Sequence, residues 1–478
     1  MKKNRILMVF SCVFALLLWS AATPTVSKAM KGWDAAPKAA FDASKFSDMS
    51  DFDPATWKGP EGDVIKIAYV NSFSGPGTIN GIIQFTPIAF AVHDINKRGG
   101  IWVDGKKKLV TVIRADHKSR PEVCKKICER MVLQEKVHVL MGTSGSHLMK
   151  IINEVANKHN VIAVNVGSIA DDLMDATNFG RNSFMTSLST EQFGLAMAYY
   201  YGQIRKQEKK FYILCQDYSF GREIAAGFKA GLKQYYPEAQ IVGEDYHKLF
   251  LTDFAPYLEK IKASGAEVIY TGDWPPDSGN MLKQARQMGI KLPFANLFMN
   301  EPNELHDVGV EGTKGLVNIS QHDTFPLFSN EGRIKVYNAW HEQWKTWKTK
   351  PYDSPLFQTG GGNLSAYMMH AYWLLSVIER AKTVKAEEII KVWEGDTYRY
   401  SNGKVVKMRA CDHKTIQDLT VWEFVEPEKQ KIAWNIPPYY IYKGCSYYGP
   451  GYVVPAEKIL PKMDPNLDRC KGKNEWGE

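Results

Sequence analysis

A chain of 478 residues, 44% hydrophobic and 23% charged, has material for two α/β cores and is too apolar to be disordered. Its net charge of +8 arises from 60 basic and 52 acidic residues scattered along the whole length. No basic stripe of the nucleic-acid-binding kind results, so no nucleic-acid partner is expected.

Residues 1–29 read as a secretory signal peptide. Lys2, Lys3 and Arg5 form a basic start, Ile6–Trp19 is an uncharged apolar core, and Ser20-Ala21-Ala22 and Ser27-Lys28-Ala29 are small-x-small cleavage sites. The core is short for a membrane span of about 20 residues, so cleavage is expected rather than retention as an anchor. Cys12 follows Val9-Phe10-Ser11, a poor context for lipid attachment. Cleavage after Ala29 removes four basic residues and no acid, lowering the net charge to +4. The mature protein is expected to be periplasmic and soluble. Residues 30–62 lack periodicity and read as an N-terminal arm on the surface.

From Asp63 strand and helix patterns alternate. Strands are expected at Ile65–Val70, Val110–Arg114, Val137–Met141, Val161–Val164, Phe211–Cys215, Ile241–Asp245, Val268–Thr271 and Leu316–Ile319. Between them helices are expected at Ile82–Lys97, Pro121–Glu135, His147–His159, Thr190–Arg205, Phe220–Tyr235, Asp253–Ala263 and Gly279–Met288. Glu331–Trp347, Gly361–Ala381 and Ala386–Trp393 follow. The most apolar later segment, Tyr367–Ile378, is short and contains His370, so it reads as a buried helix. Beyond Glu394 the pattern turns β-like, with turns at Ser401-Asn402-Gly403 and Tyr448-Gly449-Pro450-Gly451. The alternation predicts an α/β protein with doubly wound parallel sheets, whose right-handed crossovers bring successive loops to one edge. Breaks near Phe184–Thr190 and Ser320 divide it into two lobes enclosing a cleft.

Several strand-end loops carry Gly and Ser. Ser74-Gly75-Pro76-Gly77 precedes the first helix, but Gly75, Gly77 and Gly81 are spaced G-x-G-x-x-x-G, not as a dinucleotide fingerprint. Gly142-Thr143-Ser144-Gly145-Ser146 and Val166-Gly167-Ser168 end later strands, where hydroxyls and free helix amides suit a carboxylate. Cys215-Gln216-Asp217-Tyr218-Ser219-Phe220-Gly221 and Gly272-Asp273-Trp274-Pro275-Pro276-Asp277 occupy equivalent places in the other half, with aromatics able to cover a ligand. Each loop is also explicable as a cap, turn or packing contact. Cys411-Asp412-His413 is a tempting nucleophile cluster, but adjacent side chains on extended backbone point to opposite faces. No G-x-S-x-G, H-E-x-x-H or paired C-x-x-C site occurs, and no enzyme activity, metal or cofactor is expected. Cys124 and Cys128 read as core thiols, Cys215 ends a strand, and two of Cys411, Cys445 and Cys470 are expected to pair in an oxidising compartment.

These residues resemble a known family, the type I solute-binding proteins of ABC importers in the leucine/isoleucine/valine-binding group. The resemblance covers about Asp63–Phe424. It rests on I-A-Y-V-N-S-F-S-G-P, D-I-N-K-R-G-G-I, G-T-S-G-S, D-Y-S-F-G and T-G-D-W-P-P-D-S-G-N-M-L-K-Q-A-R-Q-M-G. It implies a clamshell of two parallel-sheet lobes joined by three crossovers, with lobe I at 63–186 plus 320–394 and lobe II at 187–319 plus 395–424. Residues 425–478 would be a C-terminal extension on lobe II.

Position by position, the resemblance implies a carboxylate-binding serine at Ser146, backbone contacts near Gly167 and Ser168, a residue reaching in at Asn80, and cross-cleft aromatics at Phe220 and Trp274. Ser144, Tyr218 and Asp277 complete the expected ligand contacts. Two departures stand out. Ile169 replaces a hydroxyl residue, and Phe298 falls where amino-acid binders place the acid that receives the ammonium. Burying an ammonium without an acid is expensive. Either Asp273, Asp277 or Glu301 supplies the charge, or the ligand is a carboxylate or amide without an ammonium. The family's first-lobe disulfide is also missing, with Lys118 and Gly145 at its positions. The expected function is capture of a small amino-acid-like or carboxylate/amide ligand by a monomer, and its delivery to an ABC permease in the inner membrane. The alternative is a ligand-sensing module for a membrane receptor.

Overall fold

A computed structural model describes residues 46–320, 339–354, 357, 364–400, 404–429 and 444–478. The expected signal peptide, the first part of the arm, the starts of the helices expected at Glu331–Trp347 and Gly361–Ala381, and the Ser401–Gly403 turn lie outside these residues.

The first series opens with β1 (Ile65–Asn71) and α1 (Thr78–Lys97), then a hairpin of β2 (Ile101–Val103) and β3 (Lys106–Lys108). It continues through β4 (Val110–Asp116), α2 (Pro121–Leu133), β5 (Val139–Gly142), α3 (Ser146–His159), β6 (Ile162–Asn165) and β7 (Ser183–Met185). The second begins with α4 (Thr190–Tyr199), β8 (Lys210–Gln216), α5 (Ser219–Tyr235), β9 (Gln240–His247) and α6 (Ala255–Ser264). Then come β10 (Val268–Tyr270), α7 (Asp277–Gln287), β11 (Phe294–Asn296), α8 (Pro302–Thr313) and β12 (Val317–Ser320). Later elements are α9 (Leu364–Ala381), α10 (Ala386–Trp393), β13 (Thr397–Arg399), β14 (Val405–Met408), β15 (Thr415–Ile416), β16 (Leu419–Val425) and β17 (Tyr447–Val454).

Two sheets carry the architecture. The first has the order β4-β1-β5-β6-β7 and is parallel throughout. The second has the order β17-β16-β12-β11-β10-β8-β9, parallel from β12 to β9, with β16 and β17 added antiparallel. Numbered within its own series, each parallel part winds 2-1-3-4-5, so each reverses direction once: between β1 and β5, and between β8 and β10. Ligands bind outside the carboxyl ends of strands at such a point. β5, β6 and most of β8 are buried on both faces, which explains their continuous apolar runs.

Local chemistry accounts for the element ends. A capping box between Ser189 and Gln192 starts α4, Pro121 starts α2, and Asn160 ends α3 with φ 52°. Two glycines do the same work in both halves. A Cβ at Gly81 would lie 1.9 Å from the Ser72 carbonyl oxygen, and one at Gly221 would lie 2.0 Å from that of Gln216. Each lets a helix start press on the end of the preceding strand, so the G-x-G-x-x-x-G spacing serves a turn.

Some expectations are corrected. α1 begins at Thr78, four residues before the apolar periodicity does, because Thr78–Gly81 form its first turn around the loop. The expected break near Phe184 contains the edge strand β7, and the last six residues of the expected Thr190–Arg205 helix, from Tyr200, are π-helical. β11 and α8 lie between the helix expected at Gly279–Met288 and the strand expected at Leu316–Ile319, where no element is assigned from the sequence. The described part of the arm is no mere surface lead-in. Met49 and Phe52 are buried, with Phe52 edge-on to Phe90 at 5.2 Å, and the Ser47 N–H donates to the buried Asp94 carboxylate at 2.7 Å. Its apolar residues complete the outer face of α1. The Tyr367–Ile378 segment is buried within α9, which packs on α1.

Cys411 and Cys470 form the disulfide, while Cys445 is buried outside it. Cys124 and Cys128 are buried thiols of α2. Among the described residues, no helix is long and apolar enough to cross a membrane.

Candidate functional site

The two points of strand reversal face each other across a cavity of ≈ 500 Å³ of atom-free space, counted out to its mouth. Asn80, Gln84, Ser144 and Gly167 line it from the first series; Phe220, Trp274, Pro275 and Phe298 line it from the second. Asn300, Glu301 and Tyr367 complete the wall with Ile83.

The first-series side is a polar network. The Tyr69 hydroxyl donates to Gln84 Oε1 at 2.6 Å, Asn71 Nδ2 donates to the same oxygen at 3.0 Å, and Gln84 Nε2 donates to Ser144 Oγ at 3.0 Å. Gln84 is thereby held with its amide against Ser144, whose hydroxyl has only a long contact of 3.4 Å to Asn71 Oδ1 as an outlet for its proton. That proton is available to an acceptor in the cavity. Asn80 Nδ2 donates to the Pro275 carbonyl at 3.1 Å, a hydrogen bond that joins the two series directly.

The second-series side is aromatic. Phe220 and Phe298 lie 6.3 Å apart, and Tyr218 and Phe220 lie 5.5 Å apart. Trp274 meets Phe250 edge-on at 5.6 Å and donates from Nε1 to the Tyr218 hydroxyl at 3.0 Å, which fixes the indole plane. Glu301 caps α8, its two oxygens accepting from the Asn303 and Glu304 N–H groups at 3.1 and 3.0 Å. Burial pushes its carboxyl above the usual range.

The expected contacts divide in two. Asn80, Ser144, Gly167, Phe220, Trp274 and Phe298 come together around this cavity. Ser146, Ser168, Tyr218 and Asp277 do not line it. Ser146 is the first residue of α3, and its buried Oγ has no hydrogen-bond partner among the described residues. Ser168 donates its hydroxyl to the Thr143 carbonyl at 2.7 Å, bracing one loop against another. Tyr218 holds Trp274 from behind. Asp277 accepts from Gln216 Nε2 at 2.8 Å and from the Phe250 N–H at 3.0 Å, and burial raises its carboxyl to about 6. Of the three acids offered as ammonium partners, only Glu301 reaches the cavity wall; Asp273 is paired with His247 at 2.6 Å, both fully buried.

Gln84, Asn300 and Tyr367 are not among the expected contacts, and Glu301 enters them only as an alternative ammonium partner. Gln84 follows Asn80 by four residues on α1 and so shares its face, a legible signal. Tyr367 comes from α9, and nothing in its local sequence points to the cleft. The Cys411-Asp412-His413 cluster is structural: Cys411 is in the disulfide, Asp412 makes a two-pronged pair with Arg409 at 2.9 and 2.5 Å, and the His413 ring stacks on Phe184 at 4.1 Å.

The family profile described as periplasmic binding protein matches residues 64–430. The chain is 24% identical over 265 residues to Leu/Ile/Val-binding protein homolog 4 of Brucella abortus, a match covering 52% of this chain and 60% of that relative. It thus spans well under two thirds of that relative's length. A leucine-, isoleucine-, valine-, threonine- and alanine-binding protein from Brucella ovis, solved in a closed conformation, is similar with TM-score 0.67 and 18% identity, over 85% of this chain and 98% of that one. An ABC transporter solute-binding protein from R. palustris, in complex with 4-hydroxybenzoate, has TM-score 0.65 and 18% identity over 82% and 97%. At such identities the two structures speak for the fold alone.

Proposed function

The chain belongs to the periplasmic binding protein family, and from that premise we propose that it captures a small aromatic carboxylate between its lobes and delivers it to an ABC-type permease. The observation that carries this reading is the division of the cavity wall: hydroxyl and amide groups on one side, Phe220, Trp274 and Phe298 on the other. A flat ring with one polar end matches both.

The wall argues against an α-ammonium. Phe298 stands where the resemblance calls for an acid, and the Glu301 carboxylate is already committed to two backbone amides. A carboxylate, in contrast, meets the Ser144 hydroxyl and the side-chain amides of Asn80 and Gln84. Capture needs no turnover. The ligand favours closure only through contacts made in the closed state, and the Asn80–Pro275 hydrogen bond is one protein contact that adds to them. The proposed place of action is the periplasm.

Isothermal titration of the purified chain with benzoate, 4-hydroxybenzoate, leucine and phenylalanine tests the reading. Saturable binding is expected for the aromatic acids, with leucine and phenylalanine far weaker. Tighter binding of leucine would overturn it, and loss of that binding in Glu301→Gln would identify Glu301 as the ammonium partner instead.

A further inference from the structure

A second cavity, ≈ 400 Å³ of atom-free space, adjoins the first and shares Ser144 and Trp274 with it. Leu249 and Phe250 close it from the second series, and His117, Ser119 and His147 from the first. None of the described residues lining it is an acid or a lysine.

Its polar groups are not equivalent. His117 is fully used: Nδ1 accepts from the Ser119 N–H at 3.0 Å, and Nε2 lies 2.7 Å from Thr143 Oγ1. Ser119 Oγ lies 3.0 Å from Ser72 Oγ. His147, the second residue of α3, differs. Its ring meets Tyr218 edge-on at 5.8 Å, and neither nitrogen has a hydrogen-bond partner among the described residues. Burial and the nearby Lys150 hold its imidazole below the usual range, which favours the neutral ring.

We propose that this compartment receives a hydroxyl group on the ligand's ring, remote from its carboxylate, with His147 as the hydrogen-bonding partner. The proposal rests on the aromatic-acid reading above and extends it to a ligand with two polar ends. A neutral imidazole offers one donor and one acceptor, and a hydroxyl answers both. A second carboxylate would find no cation in the wall. The apolar surfaces of Leu249, Phe250 and Trp274 then enclose the ring edge between the two polar ends. His147 is thus a specificity-determining residue, not part of the scaffold of α3.

The test compares benzoate, 3-hydroxybenzoate, 4-hydroxybenzoate and terephthalate by isothermal titration, on the unaltered chain and on His147→Ala and His147→Asn. At least one hydroxybenzoate is expected to bind about tenfold more tightly than benzoate. His147→Ala should bring that ratio to within about twofold while leaving benzoate affinity unchanged, and His147→Asn should restore part of it. A ratio untouched by His147→Ala, or an equal loss for every acid, overturns the assignment. Terephthalate binding most tightly would overturn it in favour of an anion site. Failure of all four acids where leucine binds would instead remove the aromatic-acid premise. Unchanged thermal unfolding of the variants is the control for folding.

Discussion

The cleft and the region where the chain passes between its halves use their polar groups differently. On the crossover side nearly every charge is answered. Arg409 forks onto Asp412 and also donates to the Pro461 and Glu475 carbonyls at 2.7 and 2.9 Å. Lys414 pairs with Asp171 at 2.7 Å, while Glu394 receives Arg181, His413 and Arg469. At the cleft, the Ser144 hydroxyl has only a 3.4 Å outlet for its proton among the described residues, and Ser146 Oγ, at the start of α3, is buried with no hydrogen-bond partner among them. Leaving such groups unmet costs about 1–3 kcal/mol each. The difference separates polar residues that hold the fold from those kept for something else, and it overrules first impressions: the eye-catching Cys411-Asp412-His413 belongs to the first kind.

If this contrast is right, substitutions on the crossover side should cost stability and spare affinity, and those in the cleft should do the reverse. The largest effect is expected from Arg409→Ala, which leaves Asp412 buried and uncompensated. Urea denaturation should show a loss of about 3–5 kcal/mol, with benzoate affinity at low temperature unchanged. Cys411→Ser with Cys470→Ser comes next. The bridge closes a separation of 59 residues, and its removal should cost up to about 4 kcal/mol in the same assay, again without weakening binding.

In the cleft, Trp274→Ala should weaken ligand binding by about 2–3 kcal/mol, roughly 30- to 150-fold by titration. Ser144→Ala should cost about 1 kcal/mol of binding, around fivefold. Destabilisation by either, without loss of affinity, would break the contrast.

The smallest effect is in the pH profile, where the two sides should slope in opposite directions. Asp277 is raised from 3.8 to about 6 by burial, so the folded chain keeps a proton that the unfolded chain has lost. Its contribution to stability therefore falls as pH rises from 3.8 to 6. Glu394 is lowered from 4.5 to about 2: burial acts the other way but is outweighed by His413 and Arg469. Its contribution is present above 4.5 and lost as pH falls toward 2. Thermal unfolding across pH should show Asp277→Asn removing the first slope and Glu394→Gln removing the second.

Strand and helix positions, the doubly wound class and the two-lobed division were legible because burial on both faces of β5, β6 and β8 and the helical periodicities between them are local patterns. Strand-end loops with Gly and Ser were legible as a group, and six residues from them or beside them do meet in one cavity. β7 and β11 were not legible.

What the amino-acid sequence by itself determined was which segments become strands and helices and which loops lie at the carboxyl edge, since those follow from spacing along the chain. Which atoms face the cavity was decided only by the tertiary structure. Closure brings Tyr367 of α9 beside Gly167 and Asn80 against Pro275, leaves Glu301 but not Asp277 in the wall, and turns Ser168 and Tyr218 into supports. Those choices depend on how two sheets are set against each other, and residues almost two hundred positions apart carry no local pattern that could announce them.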